Sequence, residues 1–202
     1  MKRKRLTREQ SKDLTRQRLI DAAQTIFMKK GYAATSVEDI AAAAGYTRGA
    51  FYSNFRGKSE LLIELLQRDH ERMQVDLQAI MEEGATREAM EARAVAFYSQ
   101  LFRDDKCFLL WVEAKLLAIR DAKFRARFSA FTQEKREYIA NYIRAFSERV
   151  GTPLPLPAET LALGLVGLCD GAQFLRMCDP QHVTEELTES MLAGFFSRVM
   201  FG

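Results

Sequence analysis

The chain has 202 residues, 48% hydrophobic and 28% charged, the make-up of a folded protein with a sizeable core and not of a disordered or low-complexity chain. No apolar run approaches the roughly 18 to 20 residues that span a bilayer, and the basic start MKRKRLTREQSK is not followed by the apolar stretch of a signal peptide, so a cytoplasmic protein with no membrane partner is expected. The net charge is only +3, yet residues 1–57 carry 12 Lys and Arg against 5 Asp and Glu, while residues 58–202 carry 18 against 22. A phosphate-rich partner at the N-terminal end fits that asymmetry, because each cation near a duplex releases condensed counterions.

Apolar residues recur at three and four along almost the whole chain and nowhere alternate over a strand length, which predicts an all-α fold. The first periodic stretch sets Leu19, Ala22, Ala23, Ile26 and Phe27 on one face and stops at Gly31, predicting a helix over 15–30 behind a flexible basic arm over 1–14. The run Thr35-Ser36-Val37-Glu38-Asp39 can form a capping box in either of two registers, Ser36 with Asp39 or Thr35 with Glu38. That helix continues through Ile40, Ala41 and Ala44 and is interrupted at Gly45. A third short helix follows, capped by Thr47, with Ala50, Phe51 and Phe55 inward. Two short helices joined by a glycine turn form a helix-turn-helix, so residues 15–57 are expected to be a three-helix DNA-binding domain. Longer helices follow at about 58–83, 86–103, 106–120, 123–150, 158–178 and 183–201, with the loop GTPLPLP over 151–157, and make a second, larger helical domain over 58–202.

The segment GYTRGAFYSNFRGK carries the recognition chemistry. Phe51 and Phe55 anchor the helix, and Gly49 and Ala50 keep it slim enough for a major groove about 12 Å wide. Thr47, Arg48, Tyr52, Ser53 and Asn54 are left to face outward. Arg48 is the expected base reader, since a guanidinium binds guanine O6 and N7 bidentately. Tyr46 and Tyr52 are expected on phosphates, with Tyr46 also readable as a wedge inside the turn. Lys58, at the start of the next helix, is expected to share a phosphate with the free amides there.

The segment TSVEDIAAAAGYTRGAFYSNFRGKSELL resembles the DNA-binding signature of the TetR family of transcription regulators, over roughly residues 15–65. The resemblance implies that Thr35 or Ser36, Thr47, Arg48, Tyr52, Asn54 and Lys58 face operator DNA. It also implies a second domain with an effector pocket, and a dimer bundle built from the helices at 158–178 and 183–201.

Aromatic residues accumulate in that second domain. Phe124, Phe128, Phe131, Tyr138, Tyr142 and Phe146 form a helical stripe, readable as core or as the wall of a pocket for a small hydrophobic or aromatic effector. The expected pocket residues are Phe97, Leu101, Phe108, Trp111, Glu113, Phe131, Tyr138, Asp170 and Phe174. Glu113 and Asp170 stand in apolar surroundings, where an acid must be paired, neutral or functional. The helix at 158–178 is apolar nearly all round, with Gly164, Gly167 and Gly171 on one strip, so a partner copy is expected to cover it. The expected interface is Leu161, Gly164, Leu165, Leu168, Met191, Phe195, Phe196 and Val199, and two-fold symmetry then asks for an inverted-repeat site with half-sites about 34 Å apart.

A one-component repressor released by its effector is the expected function, with activation by the same fold or a ligand-independent DNA-binding module as alternatives. No metal and no cofactor are expected: only His70 and His182 are available, and the three cysteines have no CxxC spacing and are read as buried free thiols. No Gly-rich phosphate loop and no nucleophile with a base at readable spacing suggests an enzyme.

Overall fold

The computed structural model describes residues 7–82, 86–101 and 105–200; residues 1–6 of the expected basic arm and the side chains of Leu101 and Val199 lie outside the described residues. Helix α1 (Arg8–Lys30) starts seven residues before the expected 15, because Thr7 closes a capping box: its hydroxyl accepts from the Gln10 amide at 3.2 Å and its own amide donates to Gln10 Oε1 at 3.0 Å. The second half of the expected arm is therefore helix. Helix α1 ends at Gly31, whose φ of +80° suits a residue without Cβ.

Helix α2 (Val37–Ala43) is capped by Ser36, which resolves the two registers in favour of Ser36 with Asp39. Gly45, at φ +74°, turns the chain, with its amide donating to Ala42 O and the Tyr46 amide to Ala41 O. Helix α3 (Arg48–Tyr52) follows at once, with Thr47 Oγ1 accepting from the Ala50 amide at 3.3 Å. The remaining helices are α4 (Lys58–Glu82), α5 (Arg87–Leu101), α6 (Asp105–Arg120), α7 (Ala122–Val150), α8 (Ala158–Cys178) and α9 (Glu185–Phe195), which runs into a π-helical turn, Phe196–Met200. No strand occurs among the described residues.

The chain folds as two compact units, Met1–Asp69 with Leu109–Phe128, and His70–Phe108 with Ser129–Gly202. The interior of the first holds Leu19, Ala23, Phe27, Ile40, Phe51, Phe55, Leu61 and Leu65, all buried to within 2% of complete. Apart from Phe55, in the loop after α3, these are apolar positions of α1 to α4, so burial here largely follows the sequence pattern. In the second unit Met90, Ala94 and Tyr98 of α5 pack with Ile139, Ala140, Ile143 and Phe146 of α7, Leu161, Ala162 and Leu165 of α8, and Leu192 and Phe196 of the C-terminal stretch.

Helix α8 departs from the expectation about apolar runs: over 21 residues it is long and apolar enough, by length and composition alone, to cross a membrane. Its glycines and alanines keep it apolar without a continuous bulky run. One side of it is core, and the other shows Leu163, Phe174 and Leu175, each more than half exposed.

Candidate nucleic-acid interface

Helix α3 is a short rod held at both ends. Thr47 caps its start, and at its far end Arg16 of α1 donates to Asn54 O at 2.6 Å, pairs with Glu64, and lies 4.3 Å above the Phe55 ring. Phe51, fully buried, packs on Phe55 with ring centroids 5.6 Å apart. The inner side of α3 is thus fixed by an aromatic pair and an arginine, and the outer side is free to meet a ligand. Spacing along the sequence does not single out Arg16, because its partners lie 38 and 48 residues away.

The outer side carries Thr47, Arg48, Gly49, Tyr52 and Ser53, all exposed, with the exposed Ser36 at the start of α2. Arg48 Nη1 sits 3.0 Å from Glu38 Oε1, and its guanidinium lies 5.4 Å from the Tyr52 ring centroid. An ion pair this exposed is worth at most about 1 kcal/mol, so the guanidinium is readily exchanged onto another partner. Ser53 Oγ donates to Gly49 O at 2.9 Å. Lys30 at 2.8 Å, then Ser36, holds the Asp39 carboxyl well below the usual carboxylate range, which keeps the α2 cap charged.

Three expected contact residues turn inward instead. Thr35 is 2% exposed, and its hydroxyl donates to Gly31 O at 2.7 Å, because Ser36 has taken the capping role and leaves Thr35 to close the loop. Asn54 is half-buried, with Nδ2 donating to Ala50 O at 2.8 Å. Lys58 directs its ammonium to Tyr32 O at 2.7 Å and Thr35 O at 2.8 Å, with Ala33 O at 3.4 Å, and lies 4.4 Å from the Tyr32 ring centroid. Burial pushes the Lys58 pKa down, partly offset by the charge of Glu113. Tyr46 is half-buried rather than a fully enclosed wedge; its phenol bonds to Thr15 of α1, which together with Arg18 lowers its pKa.

The expected pocket residues are divided between the two units. Trp111 and Glu113 belong to the first unit, where Trp111 lies 6.2 Å from the Phe128 ring and Glu113 Oε2 accepts from the Tyr32 amide at 2.7 Å. The Glu113 carboxylate is thus bonded to the α1–α2 loop. Phe131 and Tyr138 flank His70 in the second unit, with centroids 5.9 and 6.1 Å away, and Phe97 packs against Met73 and Leu77. Phe108 is buried, Asp170 half-buried, and Phe174, 51% exposed, cannot line an enclosed cavity.

A cavity of about 20 Å³ lies among Ala94, Tyr98, Tyr142, Ile143, Phe146, Leu165 and Phe196, and an open groove of about 1090 Å³ runs past Val95, Leu168, Met191 and Phe195. None of the expected pocket residues with a described side chain lines either. Of the expected interface, Leu161, Leu165 and Phe196 are at most 3% exposed and pack in the chain's own core instead of on an outer face; Gly164 is exposed, and Leu168, Met191 and Phe195 are partly so. Cys178 is exposed, not buried as expected, whereas burial, then Asp170, pushes the Cys169 thiol up to about 12.

Residues 19–65 match the family model described as bacterial regulatory proteins, tetR family. The HTH-type transcriptional regulator TtgR of Pseudomonas putida is 46% identical over 67 residues, 33% of this chain and 31% of that protein, so the match spans about three-tenths of that relative's length. Among solved structures, GusR of Salmonella enterica superposes with a TM-score of 0.72 at 20% identity, over 95% of this chain and 98% of that one. The SmeT–triclosan complex superposes with a TM-score of 0.65 at 23% identity, over 89% and 87%. At these identities the two structures speak for the fold.

Proposed function

We propose that this chain is a TetR-family, DNA-binding transcriptional regulator, and specifically a cytoplasmic repressor that binds an inverted-repeat operator as a homodimer and is released by a small hydrophobic effector. The carrying observation is the exposed edge Ser36, Thr47, Arg48, Gly49, Tyr52 and Ser53 on a rigidly held α3, within a segment bearing 12 Lys and Arg against 5 acids. Arg48 reads a base, and Thr47, Ser36 and Tyr52 set the register on phosphates.

The DNA-binding domain in this reading is residues 15–57, extended by the first turns of α1, and residues 58–202 bind effector and dimerise. The exposed apolar stripe of α8, Leu163, Gly164, Gly167, Gly171, Phe174 and Leu175, meets its two-fold copy, with Leu187 and Met191 of α9 beside it. The effector enters the aromatic interior of the second unit and favours a conformer in which the two α3 helices are wrongly spaced. SmeT, a fold neighbour, was solved with triclosan, an occupant of the chemistry proposed here.

Footprinting of the DNA upstream of the protein's own gene, with and without a panel of hydrophobic aromatic compounds, tests this. A protected inverted repeat that a compound abolishes is expected. A saturating compound bound to the protein that leaves the footprint intact overturns the release mechanism, and no footprint overturns the operator.

A further inference from the structure

The peptide groups of one residue, Tyr32, are held from two sides. Its amide donates to Glu113 Oε2 of α6 at 2.7 Å, and its carbonyl accepts from Lys58 Nζ of α4 at 2.7 Å. Its ring packs on Phe27 with centroids 5.3 Å apart and lies under the Lys58 ammonium. Burial pushes the Tyr32 phenol up to about 12, with Asp121 and Glu113 adding to the effect against a hydrogen bond from Ser59. Gly31 shows how closely Glu113 is fitted: a Cβ built there would stand 2.8 Å from Glu113 Oε1. The loop thus clasped leads straight into Ser36 and α2, so its geometry sets where the helix-turn-helix stands on α1.

Both clasping side chains sit on helices shared between the two compact units. Helix α4 starts at Lys58 and runs past Asp69, the last residue of the first unit's leading segment, and α6 starts at Asp105, in the stretch that groups with the second. We infer that Glu113 is a positioning residue for DNA binding: its carboxylate on the Tyr32 amide holds the α1–α2 loop in the binding-competent form. The inference rests on the DNA-binding reading above. A residue that preorganises a surface without touching DNA has a distinct signature. Apparent Kd equals the intrinsic Kd divided by the competent fraction, so losing the latch raises Kd by one factor at every salt concentration. The slope of log Kd against log salt, which counts phosphates, stays the same.

The test uses the full chain with Glu113→Ala and Glu113→Gln, the duplex protected in the footprint, and amide exchange at Tyr32 followed by NMR. In Glu113→Ala, Tyr32 exchange is expected to rise by about tenfold or more and operator Kd by about tenfold, with the salt slope unchanged and no effector present. Glu113→Gln keeps an oxygen that accepts from the same amide and is expected to return both values to within about twofold of wild type. Three results overturn the proposal: Tyr32 exchange unchanged in Glu113→Ala, Tyr32 freed with operator affinity unchanged, or Glu113→Gln as damaging as Glu113→Ala. Were the wild-type chain to protect no duplex, the operator reading would fall, and the exchange rates would still decide whether the latch exists.

Discussion

Lys58→Met separates two roles for one ammonium. A phosphate contact would give up about 0.9 in the slope of log Kd against log salt when the charge is removed. In the structure the ammonium is instead spent on the chain's own carbonyls, two at 2.7 and 2.8 Å and one at 3.4 Å, in the α1–α2 loop. Methionine keeps the apolar stem and leaves those carbonyls without their cation. Charge-assisted bonds contribute about 1.5 to 3 kcal/mol each in favourable settings, and here they share one partly solvated ammonium, so a total loss of about 2 kcal/mol is expected. For a chain of this length that is a fall in Tm of about 4 to 8 °C. The assay pairs a thermal melt with fluorescence anisotropy on operator DNA at four or five salt concentrations. A salt slope reduced by about one, with Tm unmoved, would refute the inward assignment and restore Lys58 to the phosphate backbone.

Arg48→Ala removes the exposed guanidinium that Glu38 holds only loosely, and is expected to cost about 1 to 3 kcal/mol of discrimination between operator and scrambled duplex, read as a ratio of Kd values. An unchanged ratio would dispose of Arg48 as the base reader. His70 is 6% exposed, and burial, then Lys135, pushes its pKa down to about 4 from 6.5. The protonated ring is disfavoured in the folded state, so stability is complete above pH 6.5 and is lost as pH falls toward 4. On the order of 2 kcal/mol is expected between pH 7 and pH 4.5, and chemical denaturation should show His70→Phe losing less over that interval; equal losses in the two proteins would exclude His70 as the cause. Leu163→Glu places a charge on the exposed stripe of α8 and is expected to shift the dimer to monomer in light scattering by more than tenfold in dissociation constant, where Leu165→Glu would unfold the second unit. A Leu163→Glu dimer of undiminished affinity would move the interface elsewhere.

Much of the N-terminal segment was legible because its signals are local. A hydroxyl three residues before an acid, a glycine at positive φ and a four-residue aromatic spacing each act within one or two turns, and they set α2, the turn and the start of α3 as expected. The capping box at Thr7 is equally local, and its Thr-x-x-Gln spacing could have placed the start of α1. Periodicity also marked Leu19, Ala23 and Phe27 of α1 as buried, while Ala22 and Ile26 are half-buried and Ile20, outside the expected stripe, is buried.

What the sequence could not decide is which distant group a polar side chain would find. Lys58 meets carbonyls 23 to 26 residues back, and Glu113 meets an amide 81 residues back. Nothing in the spacing of residues along the chain distinguishes those partners from solvent or phosphate. The aromatic stripe of α7 shows the same limit for apolar groups: it reads as one face, yet Phe124 and Phe128 belong to the first unit and Phe131 to Phe146 to the second. On α8, apolar all round, periodicity cannot rank one face over another, so that Leu161 and Leu165 are core while Leu163 lies open was settled only by where α5 and α7 pack. By itself, then, the sequence determined the helices and the turn, since local capping and patterning act on neighbours. The tertiary structure alone decided which charges face outward and which are spent holding the fold.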